Sequence, residues 1–389
     1  MGDGSGQAAG GRRRRWRGAA RIAQMIIVVA VLAAIGIGHY RASASRDAVP
    51  DEPAQPLVHT VTSVFTTEAA AAVAELHRQY SGAYVETHLW QAASAIRATI
   101  GYMQATGSRA YLGDLAATYR AHHATDHFLS PYYDDESWWA LTWIRAYQLT
   151  RNPAYLQQAR SIFAAMTRGW TPACGGGLLW RENRPLKDAI TNEVFLQDAV
   201  LLHQLTPGDS YYRAWALREW AWFSASGMLT PSHLVVDGIT QQCQAELGSP
   251  LWTYNQGSLI GALVDLAKLT GSNSYLVTAG QVAHAVMNNP ALSQGGILRD
   301  PCRSCGRDAP MFKGIFMENL KLLYDQLGGA GYQAYMRQNA LAMWAVDRRG
   351  NMLGINWTGP FVRTSMSAQA AGLDVLVTQI PPAAPPASG

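Results

Sequence analysis

The sequence is short of charge: 15% of its 389 residues are Asp, Glu, Lys or Arg, while 48% are hydrophobic. So apolar a composition excludes disorder of the whole chain and supplies one large core or two smaller ones. Metal signatures are also missing. There is no His-Glu-x-x-His, and the ten His are scattered without ligand spacing, so no metal or other cofactor is expected. The one glycine triplet, Gly175-Gly176-Gly177, is not followed by Gly-Lys-Ser/Thr, which argues against a nucleotide phosphate loop. Only four Cys are present, with a single Cys-x-x-Cys and no second pair at matching spacing, a poor zinc signature.

A basic face is missing as well, despite the formal charge of +4. Residues 1–21 hold six Arg and one Asp, a net +5, so the remainder sums to 4 − 5 = −1. Nucleic acid is therefore not an expected partner. The arginines precede the one long uncharged apolar run, residues 22–38 (IAQMIIVVAVLAAIGIG). At seventeen residues it is short for a bilayer span and long for a signal-peptide core. It reads as a transmembrane signal anchor, or as a signal peptide if Ala42-Ser43-Ala44 is cleaved. The basic N-terminus (1–21) then stays cytoplasmic, and everything after residue 40 faces outward, attached to the membrane or secreted. Export permits disulfides. Three pairings of Cys174, Cys243, Cys302 and Cys305 are open; Cys302 with Cys305 would close a small loop, and Cys174 with Cys243 would join if their loops meet.

What is present is helical. Residues 39–62 read as a linker and 380–389 as a disordered tail. Between them, a domain over 63–379 repeats one kind of joint: ATGSRAYL at Ala105, LTRNPAYL at Leu149, LTPGDSYY at Leu205 and LTGSNSYL at Leu269. Each is a turn between helical patterns, followed by an aromatic placed to pack back on the preceding helix. About twelve periodic segments occur, near 68–80, 86–105, 109–123, 135–150, 153–168, 190–205, 209–226, 254–270, 273–288, 312–327, 330–346 and 365–378. Six irregular hairpins with long loops between them favour an all-α, closed double ring over an open superhelix. A monomer is expected.

The densest chemistry lies in PYYDDESWWALTW, Pro131 to Trp143. Glycosidic cleavage uses two carboxyl groups, about 5–5.5 Å apart when one is the nucleophile. Neighbouring residues, with Cα atoms about 3.8 Å apart, reach that shorter separation more easily than the longer one. Sharing a site also pushes one carboxyl's pKa upward, leaving one charged and one available as an acid. Against this, acidic residues in a first helical turn commonly do no more than complement the helix dipole.

Other segments resolve the ambiguity. With CGGGLLW, KDAITNEVF, WTYNQG and the paired cysteines followed by FKGIF, the chain resembles the glycoside hydrolase family 76 endo-α-1,6-mannanases, from about Trp90 to Tyr324. The resemblance implies an (α/α)6 barrel and a retaining mechanism, with Asp134 as nucleophile and Asp135 as acid/base. It makes Trp90, Gln91, Tyr133, Trp180, Asn192, Glu193, Trp252, Tyr254, Asn255, Gln256 and Lys313 candidates for contact with mannose units of an α-mannan or lipoglycan. Two positions depart from the family pattern: Leu89 stands where a second aromatic is expected, and Asp188 where Asn is usual. A transglycosylase acting on the same linkage, or a non-catalytic glycan-binding protein, are the alternative readings.

Overall fold

A computed structural model describes residues 56–381, apart from 82–83, 85–88 and 303–305. The membrane segment expected over 22–38, the basic N-terminus, most of the linker and nearly all of the tail lie outside the described residues. Among the described residues no helix is long and apolar enough to cross a membrane.

Six helices form an inner ring: α2 (Leu89–Thr106), α4 (Tyr133–Thr150), α6 (Ala189–Gln204), α8 (Thr253–Thr270), α10 (Ala309–Leu327) and α12 (Met366–Val377). Each packs on the next, and α12 closes the ring on α2. Outside them lie α1 (Pro56–Tyr80), α3 (Leu112–Thr125), α5 (Pro153–Met166), α7 (Tyr211–Ala225), α9 (Ser274–Asn288) and α11 (Ala330–Val346). The result is the double ring expected from the hairpin pattern. Three two-residue ladders tie loops together: β1 (Lys187–Asp188) with β2 (Gly238–Ile239), β3 (Ser293–Gln294) with β4 (Ile297–Leu298), and β5 (Arg348–Arg349) with β6 (Met352–Leu353).

Local chemistry explains the segmentation. Asn152 accepts from the Ala154 amide, with Pro153 in the first turn, so α5 begins where α4 stops, a favoured helix start. At two joints the aromatic packs back on the preceding helix as expected: Tyr155 stacks on Trp143 with ring centres 5.1 Å apart, and Tyr111 meets Tyr102 at 6.1 Å. At the other two the rings meet the neighbouring outer helix, Tyr212 on Phe163 of α5 at 5.2 Å and Tyr275 on Trp220 of α7 at 5.6 Å. Inner helices are wrapped on all sides, which requires sequences apolar all round; in α6 every residue from Ala189 to Leu202 is buried. Neighbours also approach closely. A Cβ on Gly257 of α8 would stand 2.5 Å from the Phe316 Cα of α10. At the other margin α1 begins at Pro56, inside the expected linker, and proline suits a first turn.

Candidate active site

The extended backbone of Tyr132 turns into α4 at Tyr133, placing Asp134, Asp135 and Glu136 in the first turn. The loop before β1 lies across this helix start. The Tyr133 amide donates to the Trp180 carbonyl (2.9 Å) and the Glu182 amide to that of Pro131 (2.8 Å). The Tyr132 and Trp180 rings meet at 4.9 Å, and the Arg181 guanidinium covers Tyr132 at 4.7 Å. These contacts bring the Trp180 indole to Asp134 as a donor.

The two aspartates are not equivalent. The Trp180 indole and the backbone N–H groups of Asp134 and Asp135 favour the charged form of Asp134, while its Oδ1 is buried without a hydrogen-bond partner among the described residues. Asp135 has only a long bond, 3.5 Å, from the Ser130 hydroxyl. Burial pushes Asp134 up to about 7, against the pull of those N–H groups. Burial, and then the Asp134 and Asp308 charges, push Asp135 up to about 8. N–H groups beside Asp134 favour its charged form, and the carboxylates beside Asp135 favour its protonated form.

Further groups arrive from the starts of other inner helices. Asp188 caps α6, its Oδ1 accepting from the Thr191 amide at 3.4 Å; burial, together with the Asp134 charge, holds it well above the usual range. Beneath it, Glu193 is fully buried and neither carboxyl oxygen has a partner among the described residues; burial and the charges of Asp188 and Asp237 raise it strongly. Asp237 is held by Asn255 Nδ2 at 3.0 Å and by the Trp252 indole. Tyr254 is raised by burial and by Asp237, Asp188, Asp134 and Glu193. Its ring stacks on Phe312 at 3.8 Å, and Trp252 and Trp90 flank Phe312 at 5.6 and 6.1 Å. Trp90 and Gln91, opening α2, both donate to Asp308 Oδ1, at 3.0 and 2.8 Å.

Trp90, Gln91, Trp180, Glu193, Trp252, Tyr254 and Asn255 are thus gathered around the aspartate pair. Four other candidates are spent on the protein itself. Asn192 accepts from the Leu178 amide (2.7 Å) and donates to the Leu178 and Asp188 carbonyls. Gln256 does the same to Val235 and also holds the Trp252 carbonyl. Lys313 donates to the Ile355 carbonyl at 3.2 Å over the Trp357 ring, and Tyr133 packs against Gly169. An amide near a helix start offers both a donor and an acceptor, so it can clamp a loop as readily as a sugar. The inner-ring start was missed as a signal: Asp188, Asp308 and Phe312 each stand at or beside one, and Asp237 is reached from another through Trp252 and Asn255.

The glycine triplet is a packing device. Gly177 has φ +87, and a Cβ there would stand 2.4 Å from the Trp222 ring. Lys187 donates to the carbonyls of Thr171, Ala173 and Gly176, and Trp222 donates to that of Cys174 at 2.9 Å. The loop is stapled by Cys174–Cys243, with Cα atoms 5.2 Å apart. Cys302 is also in a disulfide, while Cys305 lies outside the described residues.

Comparison with known proteins places this arrangement. The sequence profile described as Glycosyl hydrolase family 76 matches residues 59–388. The chain belongs to glycosyl hydrolase family 76. It is 24% identical over 248 residues to the mannan endo-1,6-alpha-mannosidase DCW1 of Saccharomyces cerevisiae, a match covering 58% of this chain and 54% of that protein. The chain thus spans little more than half the length of that relative. The fold is shared with the GH76A alpha-1,6-mannanase of Salegentibacter sp. HEL1_6, with TM-score 0.73 and 22% identity over 81% of this chain and 98% of that one. It is shared too with an inactive variant of that enzyme, two neighbouring aspartates replaced, in complex with alpha-1,6-mannotetrose (TM-score 0.74, 21% identity, 81% and 98% coverage).

Proposed function

We propose that this family 76 chain is a retaining, endo-acting α-1,6-mannosidase of mannan-containing cell-envelope glycans. The observation that carries the reading is the pair of adjacent carboxyls buried together at the start of α4, where the Trp180 indole and backbone N–H groups favour the charged form of Asp134 and the Asp134 and Asp308 charges favour the protonated form of Asp135. Asp134 attacks the anomeric carbon while Asp135 delivers its proton to the departing glycosidic oxygen. Asp135, now a carboxylate, takes a proton from water, and that oxygen displaces Asp134. The indole and phenol rings of Trp90, Trp252 and Tyr254 offer apolar faces and polar edges, a surface suited to a polar ring-shaped ligand. What the relatives' names say they cleave or bind supports the linkage assigned to this chain.

The test is to supply linear α-1,6-mannan to the purified protein and follow product anomers by NMR. Early α-products are expected; early β-products would overturn retention. Binding without any turnover would leave a glycan-binding protein, and products longer than the supplied oligomannoside would make it a transglycosylase. We propose also that residues 22–38 anchor the domain on the outer side of a membrane, on the strength of the arginine-flanked apolar run. Release of the protein by carbonate wash would exclude a spanning anchor.

A further inference from the structure

Asp308 is the one carboxylate of the site brought in by α10, and it is held in an unusual way. Two side-chain donors from the start of α2, the Trp90 indole and the Gln91 amide, converge on the same oxygen, Oδ1, at 3.0 and 2.8 Å. Gln91 reaches the neighbouring Arg307 carbonyl only at 3.4 Å. Asp308 stands at the N-cap of α10 but forms no side-chain cap bond, so helix capping does not account for it. The residue is exposed, while Trp90 and Gln91, which hold it, are 8% and 4% exposed. A buried, two-donor grip on one oxygen fixes the orientation of the carboxyl and leaves Oδ2 open, and an aspartate has further lone pairs to offer there. Its charge reaches both members of the catalytic pair.

We propose that Asp308 is a substrate-positioning residue of the mannosidase: pinned through Oδ1 by Trp90 and Gln91, it accepts a hydrogen bond from a mannose hydroxyl through Oδ2 beside the catalytic pair. The inference rests on the mannosidase reading above for the identity of the sugar. A carboxylate bonded to a hydroxyl is a charge-assisted contact, stronger than a neutral one, and it discriminates the sugar that presents that hydroxyl from one that lacks it. The same negative charge favours the protonated form of Asp135. The groups facing the pair are Asp134 and Glu136 on α4, Asp308 from α10, Asp188 from α6, Tyr254 from α8 and the hydroxyl of Ser130. The strongest charges acting on Asp135 are thus Asp134, Asp308 and Glu136, all negative when ionised. Removing Asp308 therefore lowers the pH at which Asp135 loses its proton.

The variant that tests this is Asp308→Asn, which keeps an oxygen for Trp90 and Gln91 and removes the charge. In the full-length protein labelled with 13C at aspartate carboxyls, the upper titration step of the Asp134/Asp135 pair should move to lower pH. Binding of α-1,6-mannotetraose, measured by calorimetry in an Asp134→Asn background, should weaken roughly tenfold, the scale of a hydrogen bond to a charged group. Trp90→Phe, which removes one donor and leaves the charge, should weaken the oligosaccharide less and leave the titration step in place. An unmoved titration step in Asp308→Asn would overturn the electrostatic role, and unchanged mannotetraose affinity would overturn the sugar contact. Failure of the wild type to cleave any α-1,6-mannan would instead strike the functional reading, and the titration would still decide the charge effect.

Discussion

The starts of the inner helices and the middle of the barrel treat buried acid in opposite ways. Midway along the inner helices, Arg97 answers the carboxylates: its Nε donates to Glu318 at 3.0 Å, its guanidinium lies 4.7 Å over Trp138, and its charge acts against the upward shifts that burial imposes on Asp198 and Asp374. Ser137 donates to Asp198 Oδ2 at 2.7 Å, and Asp198 Oδ1 is left without a partner among the described residues. Around the aspartate pair the strongest charges acting on Asp134, Asp135, Asp188 and Glu193 are other carboxylates. A buried charge is tolerated when paired and otherwise gives up its ionisation. Burial raises the acids in both places; the difference is that the Arg97 cation opposes the shift on Asp198 and, against Glu318, on Asp374, while around the aspartate pair other carboxylates reinforce it.

The sharpest way to break the comparison is to neutralise one acid at the reactive end. Asp134→Asn and Asp135→Asn should each lower kcat on α-1,6-mannan by about a thousandfold or more, with circular dichroism and melting temperature preserved; loss of folding would mean that the pair is structural. In the middle of the barrel, Arg97→Met should lower stability by about 3–5 kcal/mol and Arg97→Lys by less, read from denaturant unfolding, with kcat nearly unchanged in whatever fraction folds. The smallest effect concerns pH. Burial, with the Asp188 and Asp237 charges, raises Glu193 strongly in the folded protein, so the folded state holds its proton to higher pH than the unfolded chain and stability should fall as pH rises above the ordinary glutamate range. Glu193→Gln should remove that fall: its melting temperature should exceed the wild type's at pH 8, with the gap closing towards pH 4. A gap independent of pH would show that Glu193 is ionised in the fold.

Much of this was legible in the residues. The twelve periodic segments correspond to twelve helices among the described residues, and the joint between α4 and α5 shows why, with Asn152-Pro153 as its turn chemistry and Tyr155 as its aromatic latch. The aspartate pair was legible because both residues share one helical turn, and Cys174 with Cys243 was named before their loops were seen to meet. The amides were not legible. Asn192 and Gln256 sit in motifs that also bear Glu193 and Tyr254, yet their donors and acceptors close on Leu178 and Val235. Asn339 and Gln369 repeat the device, gripping the Leu298 and Leu353 amides at 2.7 and 2.8 Å. Motif membership does not say towards which side of a helix a side chain finds its partner.

Taken by itself, the sequence determined what is local: helices, turns, the juxtaposition of two aspartates, and the absence of nucleotide and metal signatures. Tertiary structure decided what depends on closure of the ring. Asp188, Asp237 and Asp308 lie far apart in the chain, and each alone is an ordinary polar residue beside a loop. They become one site because the inner helices begin at the same end of the barrel. There the burial that shifts an acid's pKa, and the neighbours that oppose or reinforce the shift, are set by groups on other hairpins, from tens of residues away to more than a hundred.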